Sequence, residues 1–566
     1  MWEETSAWRK LIQTRGEHTN SMQILPWLGS EPGIQRCTAT VKGHRKEEGK
    51  DLVYRGEIST IWQDTSMYFI PEFSKETWFL LILFEAIFII YAIWPYRVFR
   101  KYGIPGPRPL PFIGTFLSNR NGLADFDIEC FQKYGKIWGF YDGRQPVLAV
   151  MDPVIIKSIL VKDCYTIFTN RRNFGLNGPL RSSISSAVDD QWKRIRSVLS
   201  PTFTSGKLKQ MFPIIKSYGE LLVKNMQKKV DNKEFIDMKQ IFGSYSMDIV
   251  LSTSFSVNVD SMNNPNNPFV TNVENLFSVS FFTPLFITTV LCPFLIPLLD
   301  KLNFSFIPVS VLNFFQDAIK NFKKNRQKGV HTDRVDFLQL LVDSQNKDGC
   351  NGLCDSEILA QGIIFIMAGY ETTSNTLMFL TYLLATHPDV QTKVQEEIDA
   401  HLPNKAPPTY DALMQLEYLD MVIDETLRLY PATPRLERVC KQTTEINGVT
   451  IPKGVVAVIP NFALHRDPEF WPNPEEFRPE RFSKENRKTQ DPYTFLPFGA
   501  GPRNCIGMRF ALINMKSVIT MLLQNFSFRT CKDTPIPLEI DTTGFLKTKK
   551  PVLLSLVPRE SQKTEN

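Results

Sequence analysis

Apolar residues are concentrated in a few stretches of the chain, and each stretch predicts an element. Residues 356–387 are apolar on nearly every side, which predicts a helix through the centre of a domain. A second apolar helix is predicted to begin near Gly507, and short runs such as IWGFYDG, PVLAVMD and VVAVIP are typical of strands. The fold class we predict is therefore mainly α with small β-sheets, in one domain over residues 115–560.

The apolar stretch at residues 78–94, WFLLILFEAIFIIYAIW, is close to the length of a membrane span. Glu85 costs about 2.5 to 3.5 kcal/mol within a span, whereas the Leu, Ile and Phe residues return about 3 to 7 kcal/mol. Tryptophans at both ends and basic residues on one side favour an anchor over a buried core helix. We predict a single transmembrane helix over residues 77–95, with the chain after residue 100 on the cytoplasmic side.

The segments on either side of this anchor differ in character. Residues 1–66 have no apolar leader, no sustained period and no motif, and Met67 follows them shortly before the anchor. We predict that the natural chain starts at or near Met67 and that residues 1–66 are a non-native or disordered extension.

Residues 101–114, KYGIPGPRPLPFIG, are rich in proline, which excludes a helix and predicts a semi-rigid hinge.

Residues 275–308 form the most apolar region outside the predicted anchor. They are crowded with phenylalanine and are broken by Pro284, Pro293 and Pro297. This pattern fits core helices, and it equally fits a substrate-access lid that reaches the surface of a bilayer.

Composition and charge narrow the classes of function. The net charge of +6 comes without a run of five or more basic residues, so a nucleic-acid surface is not indicated. The nine cysteines are odd in number and irregularly spaced, which argues against a disulfide framework and for a reducing compartment. Cys350 and Cys354 could form half of a zinc site, but neither a second cysteine pair nor a histidine pair follows nearby.

Small and polar residues interrupt the predicted central helix in the sequence AGYETT, which includes Gly369, Glu371 and Thr372. Burying these polar groups is costly unless partners or water satisfy them. A threonine hydroxyl can bond back to a carbonyl one turn earlier and bend the helix. The segment therefore predicts a groove for a small ligand or water beside Gly369, with a harmless kink as the alternative.

The turn FGAGPRNCIG, residues 498–507, places Cys505 just before the second apolar helix. A thiolate at a helix N-terminus is favoured by the helix dipole, so we expect its pKa to be lowered. A resolving cysteine is absent within twenty residues on either side, and so are three further zinc ligands. A single thiolate beside Arg503 suits haem, with iron bound to the sulfur and a propionate held by the arginine.

The turn at Cys505 resembles the haem-binding signature of the cytochrome P450 family. Four further segments resemble that family in the same order along the chain: WKRIR, AGYETT, ETLR and PERF. The resemblance covers about residues 67–560. It implies a cytochrome P450 fold with haem b (iron protoporphyrin IX) as cofactor and Cys505 as the axial ligand of the iron.

The resemblance also implies a role for each matching residue. The haem-binding residues would be Trp192, Arg196, Arg438, Phe498, Arg503 and Cys505. The catalytic residues would be Glu371, Thr372 and Cys505, with the first two relaying protons. A structural cluster of one acid and two arginines would consist of Glu425, Arg428 and Arg481. The substrate pocket would include Ser185, Met367, Ala368 and Thr433.

Segments such as RLERVC, ALHRDP and KAPPTYDALMQLEYLDMVIDETLRLYP are similar to subfamily A of the third P450 family, the broad-specificity monooxygenases of vertebrates. This implies a single-pass microsomal enzyme of the endoplasmic reticulum membrane whose catalytic domain is cytoplasmic. Such an enzyme inserts one oxygen atom of O2 into lipophilic substrates, including steroids, xenobiotics and drugs.

Electrons must come from a partner, because the chain has neither a GxGxxG fingerprint at a strand-to-helix junction nor a phosphate loop. The resemblance implies NADPH–cytochrome P450 reductase as that partner, with cytochrome b5 as an optional donor. Basic residues at 484, 487 and 488 are candidates for docking, or are simply solvated. Two alternatives remain: a haem-thiolate isomerase of the thromboxane-synthase type, and a non-catalytic, membrane-bound haem or lipid-binding protein.

Overall fold

A computed structural model describes residues 74–173, 175–277, 283–327, 336–345 and 352–559. The predicted extension at residues 1–66 and the cysteine at position 350 lie outside these ranges. The described chain is mainly helical with small sheets, which confirms the predicted fold class.

The α-helices range from 4 residues to 32 residues, and the longest is Asp355–Thr386. They are α1 Lys75–Ile93, α2 Arg97–Lys101, α3 Leu123–Tyr134, α4 Pro153–Lys157, α5 Asp189–Leu199, α6 Ser205–Asp231, α7 Met238–Phe255, α8 Pro268–Phe277, α9 Pro284–Leu291, α10 Ile296–Lys301, α11 Val309–Gln327, α12 Phe337–Gln345, α13 Asp355–Thr386, α14 Pro388–His401, α15 Tyr410–Leu413, α16 Glu417–Leu429, α17 Asn461–Leu464, α18 Lys484–Arg487 and α19 Met508–Asn525. Single turns of 3-10 or π helix connect several of them: Trp94–Tyr96, Phe116–Asn121, Ser158–Lys162, Gly178–Ser182, Ser200–Phe203, Pro293–Leu295, Pro403–Lys405 and Pro479–Phe482.

The strands form four small sheets. They are β1 Ile137–Asp142, β2 Gln145–Val150, β3 Ile236–Asp237, β4 Leu436–Val439, β5 Thr444–Ile446, β6 Val449–Ile451, β7 Val456–Ile459, β8 Phe526–Thr530, β9 Ile540–Asp541, β10 Lys547–Thr548 and β11 Leu553–Pro558. The largest sheet has the order β1-β2-β7-β4, with β2 and β7 parallel and Val147 opposite Val456. The other sheets are β3-β11-β8, β5-β6 and β9-β10. Strands β1, β2 and β7 fall where the short apolar runs predict them.

Helix α13 is the centre of the packing, as its apolar composition predicts. Its first half belongs to one hydrophobic cluster with α5, α7 and α11, and its second half to another with α6, α16 and α19. A methyl group built on Gly369 would lie 2.4 Å from Val250 Cγ2 of α7. Gly369 thus gives α7 room to approach, and the exposed position beside it is Ala368. The groove expected beside Gly369 stays a prediction.

The helical segment Lys75–Lys101, formed by α1 and α2, is long and apolar enough to cross a membrane, and most of its apolar stretch is exposed. Helices α9 and α10 pass the same test only as a pair bent by 106°. The predicted hinge is tied down locally, because Tyr96 Oη donates to Leu110 O at 2.7 Å and Gly139 N–H donates to Pro105 O at 2.8 Å. The anchor over 77–95 and the hinge over 101–114 stay predictions.

Candidate active site

The turn before α19 presents the Cys505 thiol on a constrained backbone. Cys505 N–H donates to Phe498 O at 2.9 Å, and Asn504 N–H donates to Gly501 O at 3.1 Å. Gly501 has a φ of +71°, and a methyl group there would lie 2.0 Å from Leu160 O. Only glycine fits this position. The side chain of Cys505 is nevertheless exposed, and Phe498 beside the turn is half-buried.

The sequence predicts that the helix N-terminus lowers the pKa of Cys505. For the protein without a cofactor, this prediction is wrong. Although the side chain is exposed at its surface, the protein atoms crowded around it desolvate the thiol and raise its pKa above the ordinary value. The N–H groups of Gly507 and Met508 and the charges of Arg171 and Arg196 act in the opposite direction and offset the rise only in part. The helix N-terminus is present as predicted, but desolvation outweighs it.

Two buried arginines lie close to this turn without an acidic hydrogen-bond partner. Arg503 donates to the carbonyl oxygens of Thr169, Ser185 and Ala187, at 2.5, 3.2 and 2.6 Å. Arg438 donates to Glu437 O at 2.7 Å. In the described part of the chain, the Nε–H groups of both arginines are buried without an acceptor.

Two further side chains predicted to bind the cofactor lie on α5. Arg196 donates to Asn504 O at 2.8 Å and to Asn504 Oδ1 at 2.9 Å, so it clamps the residue before Cys505. Trp192 is 1 % exposed, and the guanidinium of Arg503 lies 4.8 Å from its ring centroid. Its indole N–H also has no acceptor among the described residues.

Arg171 completes this group and was missed from the sequence. It donates to Ser185 Oγ at 3.1 Å, and burial lowers its pKa while the nearby Cys505 raises it. The signal in the sequence is a pair of adjacent arginines at 171 and 172 in a loop, which matched none of the motifs considered.

The four arginines of the site, 171, 196, 438 and 503, fit a ligand that carries two carboxylates. Burial and the repulsion of Arg171 lower the pKa of both Arg438 and Arg503 to about 9. Such cations are costly without an anion, and their unpaired Nε–H groups need acceptors. Together with the accessible Cys505 thiol, these residues fit a haem with its thiolate ligand and two propionates.

Glu425 organises a buried ion-pair cluster behind the cysteine turn. It accepts hydrogen bonds from Arg428 at 2.7 and 2.9 Å and from Arg481 Nε at 3.2 Å, and both Glu425 and Arg428 are 0 % exposed. Arg478 N–H is a fourth donor, at 2.9 Å. The structure thus brings together the three residues proposed for the acid and two-arginine cluster.

His465 links this cluster to the turn and was also missed from the sequence. Arg428 Nη1 donates to His465 O at 2.8 Å, and Leu496 N–H donates to His465 Nε2 at 2.9 Å. Burial lowers the pKa of His465 to about 3, so its ring stays neutral and can accept. Leu496 O in turn accepts from Gly499 N–H at 3.0 Å inside the cysteine turn.

The two residues of the predicted proton relay, Thr372 and Glu371, lie in the middle of α13. Each makes hydrogen bonds to different partners. Thr372 Oγ1 donates to Ala368 O at 2.7 Å, the back-bonding that the sequence suggests. Glu371 instead accepts from Lys239 Nζ and from Asn375 Nδ2, each at 2.9 Å. No hydrogen bond joins Glu371 to Thr372 within the described residues. A relay through both would need a bridging water or a rotation of Glu371.

The residues proposed for the substrate pocket occupy three elements. Ala368 is exposed on the otherwise mostly buried α13, and Met367 packs in the same hydrophobic cluster as Ile506, the neighbour of Cys505. Thr433 follows Ala432, whose carbonyl accepts from Leu546 N–H at 3.1 Å. Ser185 is half-buried and accepts hydrogen bonds from Arg171 and Arg503. Its contacts are therefore with the arginines of the site.

Comparisons with known proteins agree with this geometry. The family model for cytochrome P450 matches residues 104–556. Cytochrome P450 3A9 of Rattus norvegicus is 58% identical over 497 residues, which cover 87% of this chain and 99% of the relative. Cytochrome P450 3A29 of Sus scrofa is 57% identical with the same coverage, and cytochrome P450 3A40 of Oryzias latipes is 57% identical over 86% of this chain and 98% of the relative. The chain therefore belongs to the cytochrome P450 family, in its subfamily 3A, and is a haem-dependent monooxygenase.

Proposed function

We propose that this monooxygenase is bound to the endoplasmic reticulum membrane, takes electrons from NADPH–cytochrome P450 reductase, and oxidises lipophilic small molecules such as steroids and xenobiotics. The observation that carries the proposal is the Cys505 thiol beside buried arginines that lack anionic partners. Haem bound there supplies the binding of dioxygen and the cleavage of its O–O bond.

The protein's own residues have three tasks in this reaction. Cys505 is proposed as the sulfur ligand, held by its N–H bond to Phe498 and by the clamp of Arg196 on Asn504. The arginines are proposed to hold the propionates, since guanidinium groups match carboxylates in geometry and charge. Thr372 and Glu371 are proposed to move protons across an otherwise apolar helix.

An exposed apolar surface supports both the lipophilic substrate class and the membrane. Helices α9 and α10 and the residues after them expose large side chains, namely Ile287, Phe294, Leu298, Leu302 and Phe304. Soluble proteins rarely expose so many apolar groups together. This favours the lid interpretation of residues 275–308, with α9 and α10 resting in the membrane surface beside the α1 anchor, so that substrates could enter from the lipid.

The electron partner is proposed to dock at a basic depression beside the cysteine turn. It is lined by residues that include Tyr165, Trp192, Lys193, Arg196, Ser200 and Pro502. Ion pairing does not separate this surface from the candidates at 484 and 487, because Lys193 is paired with Asp190 at 2.9 Å, just as Lys484 is paired with Glu417 at 2.5 Å and Arg487 with Asp424. The basic residues at 484, 487 and 488 therefore stay the alternative docking surface. Lys488 is exposed. Cytochrome b5 could use the same surface.

The first test is the dependence of turnover on the electron partner. Membranes containing the full chain should oxidise a steroid probe only when NADPH, the reductase and O2 are all present. The reduced protein with carbon monoxide should show the Soret shift of a thiolate ligand. Rearrangement of a lipid peroxide to an isomer of the same formula, without NADPH and with no oxidation of the steroid probe, would instead support the isomerase alternative, to which the relatives give no support. A thiolate-type Soret shift with no turnover of any probe would support a non-catalytic binding protein.

A second prediction concerns Thr372. Replacing it with valine keeps the volume but removes the hydroxyl beside Ala368 O. A positioned proton-transfer group contributes about 10²- to 10⁴-fold, so product formed per NADPH should fall by roughly tenfold or more while peroxide rises. Thr386→Val is the matched control, because Thr386 makes the same back-bond, to Tyr382 O at 3.0 Å, at the end of α13. Equal coupling in both variants would contradict the role of Thr372.

A further inference from the structure

A half-buried lysine on a neighbouring helix holds the acid of the proposed relay. Lys239 Nζ lies 2.9 Å from Glu371 Oε2 and 2.7 Å from Ser374 Oγ, both on α13. Its side chain retains 29% exposure, whereas that of Glu371 retains 8%. Lys239 therefore lies between the acid and the protein surface.

This position is unfavourable for a lysine on local grounds. Lys239 is the second residue of α7, and its N–H donates to the capping carboxylate of Asp237 at 3.0 Å. A cation in the first turn of a helix opposes the helix dipole. Burial also lowers the pKa of Lys239, and the charge of Glu371 is the largest influence in the opposite direction. The ion pair with Glu371 is thus what makes a charged lysine acceptable here.

The surrounding groups fix Lys239 in this position. Tyr370 offers its ring face 5.3 Å from Lys239 Nζ, and Tyr370 Oη donates to Glu274 Oε1 at 3.0 Å. The charged and titratable groups that face Lys239 are therefore Asp237 before α7, Glu274 on α8, and Tyr370 and Glu371 on α13. Asn375 Nδ2 holds the other oxygen of Glu371 and also donates to Leu546 O, at 3.1 Å.

We propose that Lys239 is a positioning residue that holds the Glu371 carboxylate turned away from Thr372, and so sets when the acid can take part in the relay. The proposal rests on the monooxygenase function proposed above. Residues one apart on a helix do not face each other, so Glu371 must leave Lys239, or use a water, to reach the hydroxyl of Thr372. Lys239 then offers the route by which the next proton arrives from solvent.

The test compares Lys239→Met with Lys239→Arg in the haem-loaded full chain with reductase. Without the ammonium group, the Glu371 carboxylate loses the partner that fixes its orientation. Lys239→Met should therefore lower product per NADPH several-fold. Lys239→Arg, which keeps a cation at this position, should restore it. Lys323→Met is the control. Lys323 pairs with Asp355 at 2.6 Å, and Asp355 lies on α13, as Glu371 does.

Three results would overturn the proposal: unchanged product per NADPH in Lys239→Met with an intact carbon monoxide spectrum, no rescue by arginine, or an equal change in the Lys323 control. A second measurement does not depend on turnover or on the stability of the methionine variant. Acetylation of the Lys239 amine by acetic anhydride, followed by peptide mass spectrometry, should be several-fold faster in Glu371→Gln than in wild type. Equal rates would overturn the ion-pair assignment. If the wild type shows no NADPH-dependent turnover, the proposed function fails, whereas the labelling comparison still tests the contact.

Discussion

Cys505→Ser should abolish monooxygenase turnover and remove the thiolate-type Soret shift of the reduced carbon monoxide complex. Serine preserves the shape of the turn and the bond from residue 505 N–H to Phe498 O. Serine has no sulfur, however, and its aliphatic hydroxyl stays protonated in water. It therefore cannot replace the thiolate. We therefore expect folded protein whose NADPH-dependent product formation falls to background. Absorption spectroscopy and product analysis of the same preparation measure both effects.

The control for this experiment is a second thiol outside the site. Cys531 is half-buried and lies 3.5 Å from Leu553 O, a contact that a serine hydroxyl can also make. Cys531→Ser should keep both the Soret shift and the activity of the wild type. If Cys505→Ser retained the thiolate-type shift, another sulfur would have to be the ligand, and the assignment of Cys505 would be wrong.

The fold could be predicted from the sequence where periodicity is strong. Helix α13 begins at Asp355 and ends at Thr386, within one residue of the predicted bounds, because a helix that is apolar on nearly every side must be central. Contacts between residues three apart on one helix are also readable, as with Glu425 and Arg428. Such features depend on local sequence alone, so they can be predicted without knowledge of the tertiary structure.

The missed residues make contacts over long separations in sequence. Lys239 and Glu371 are 132 residues apart, and His465 reaches Leu496 across 31 residues. Arg171 contacts Arg503 O at 3.5 Å across 332 residues. The local sequence gives only weak signals for two of them: His465 lies in the segment ALHRDP and Arg171 is one of two adjacent arginines, but neither signal indicates the partner. The expected direction of the Cys505 pKa failed because desolvation, which depends on how the folded chain surrounds the thiol, outweighs the local helix N-terminus.

Glu425→Gln should prevent accumulation of folded, haem-loaded protein. The substitution keeps the side-chain volume but removes the charge that offsets Arg428, which is fully buried. Breaking one partner of a buried pair costs about 3 to 5 kcal/mol. A typical domain has only roughly 5 to 15 kcal/mol of stability, so this loss is a large share of it. The measurements are the yield of the reduced carbon monoxide complex and the temperature at which its spectrum is lost.

Glu417→Gln separates this effect from a general loss of charge on helix α16. Glu417 lies on the same helix and pairs with Lys484 at 2.5 Å, but both side chains are more than half exposed. Exposed pairs contribute little, because water and salt already screen them. The control should therefore keep the yield and thermal stability of the wild type. If Glu425→Gln behaved in the same way, the cluster would not be what holds Leu496 and the cysteine turn in place.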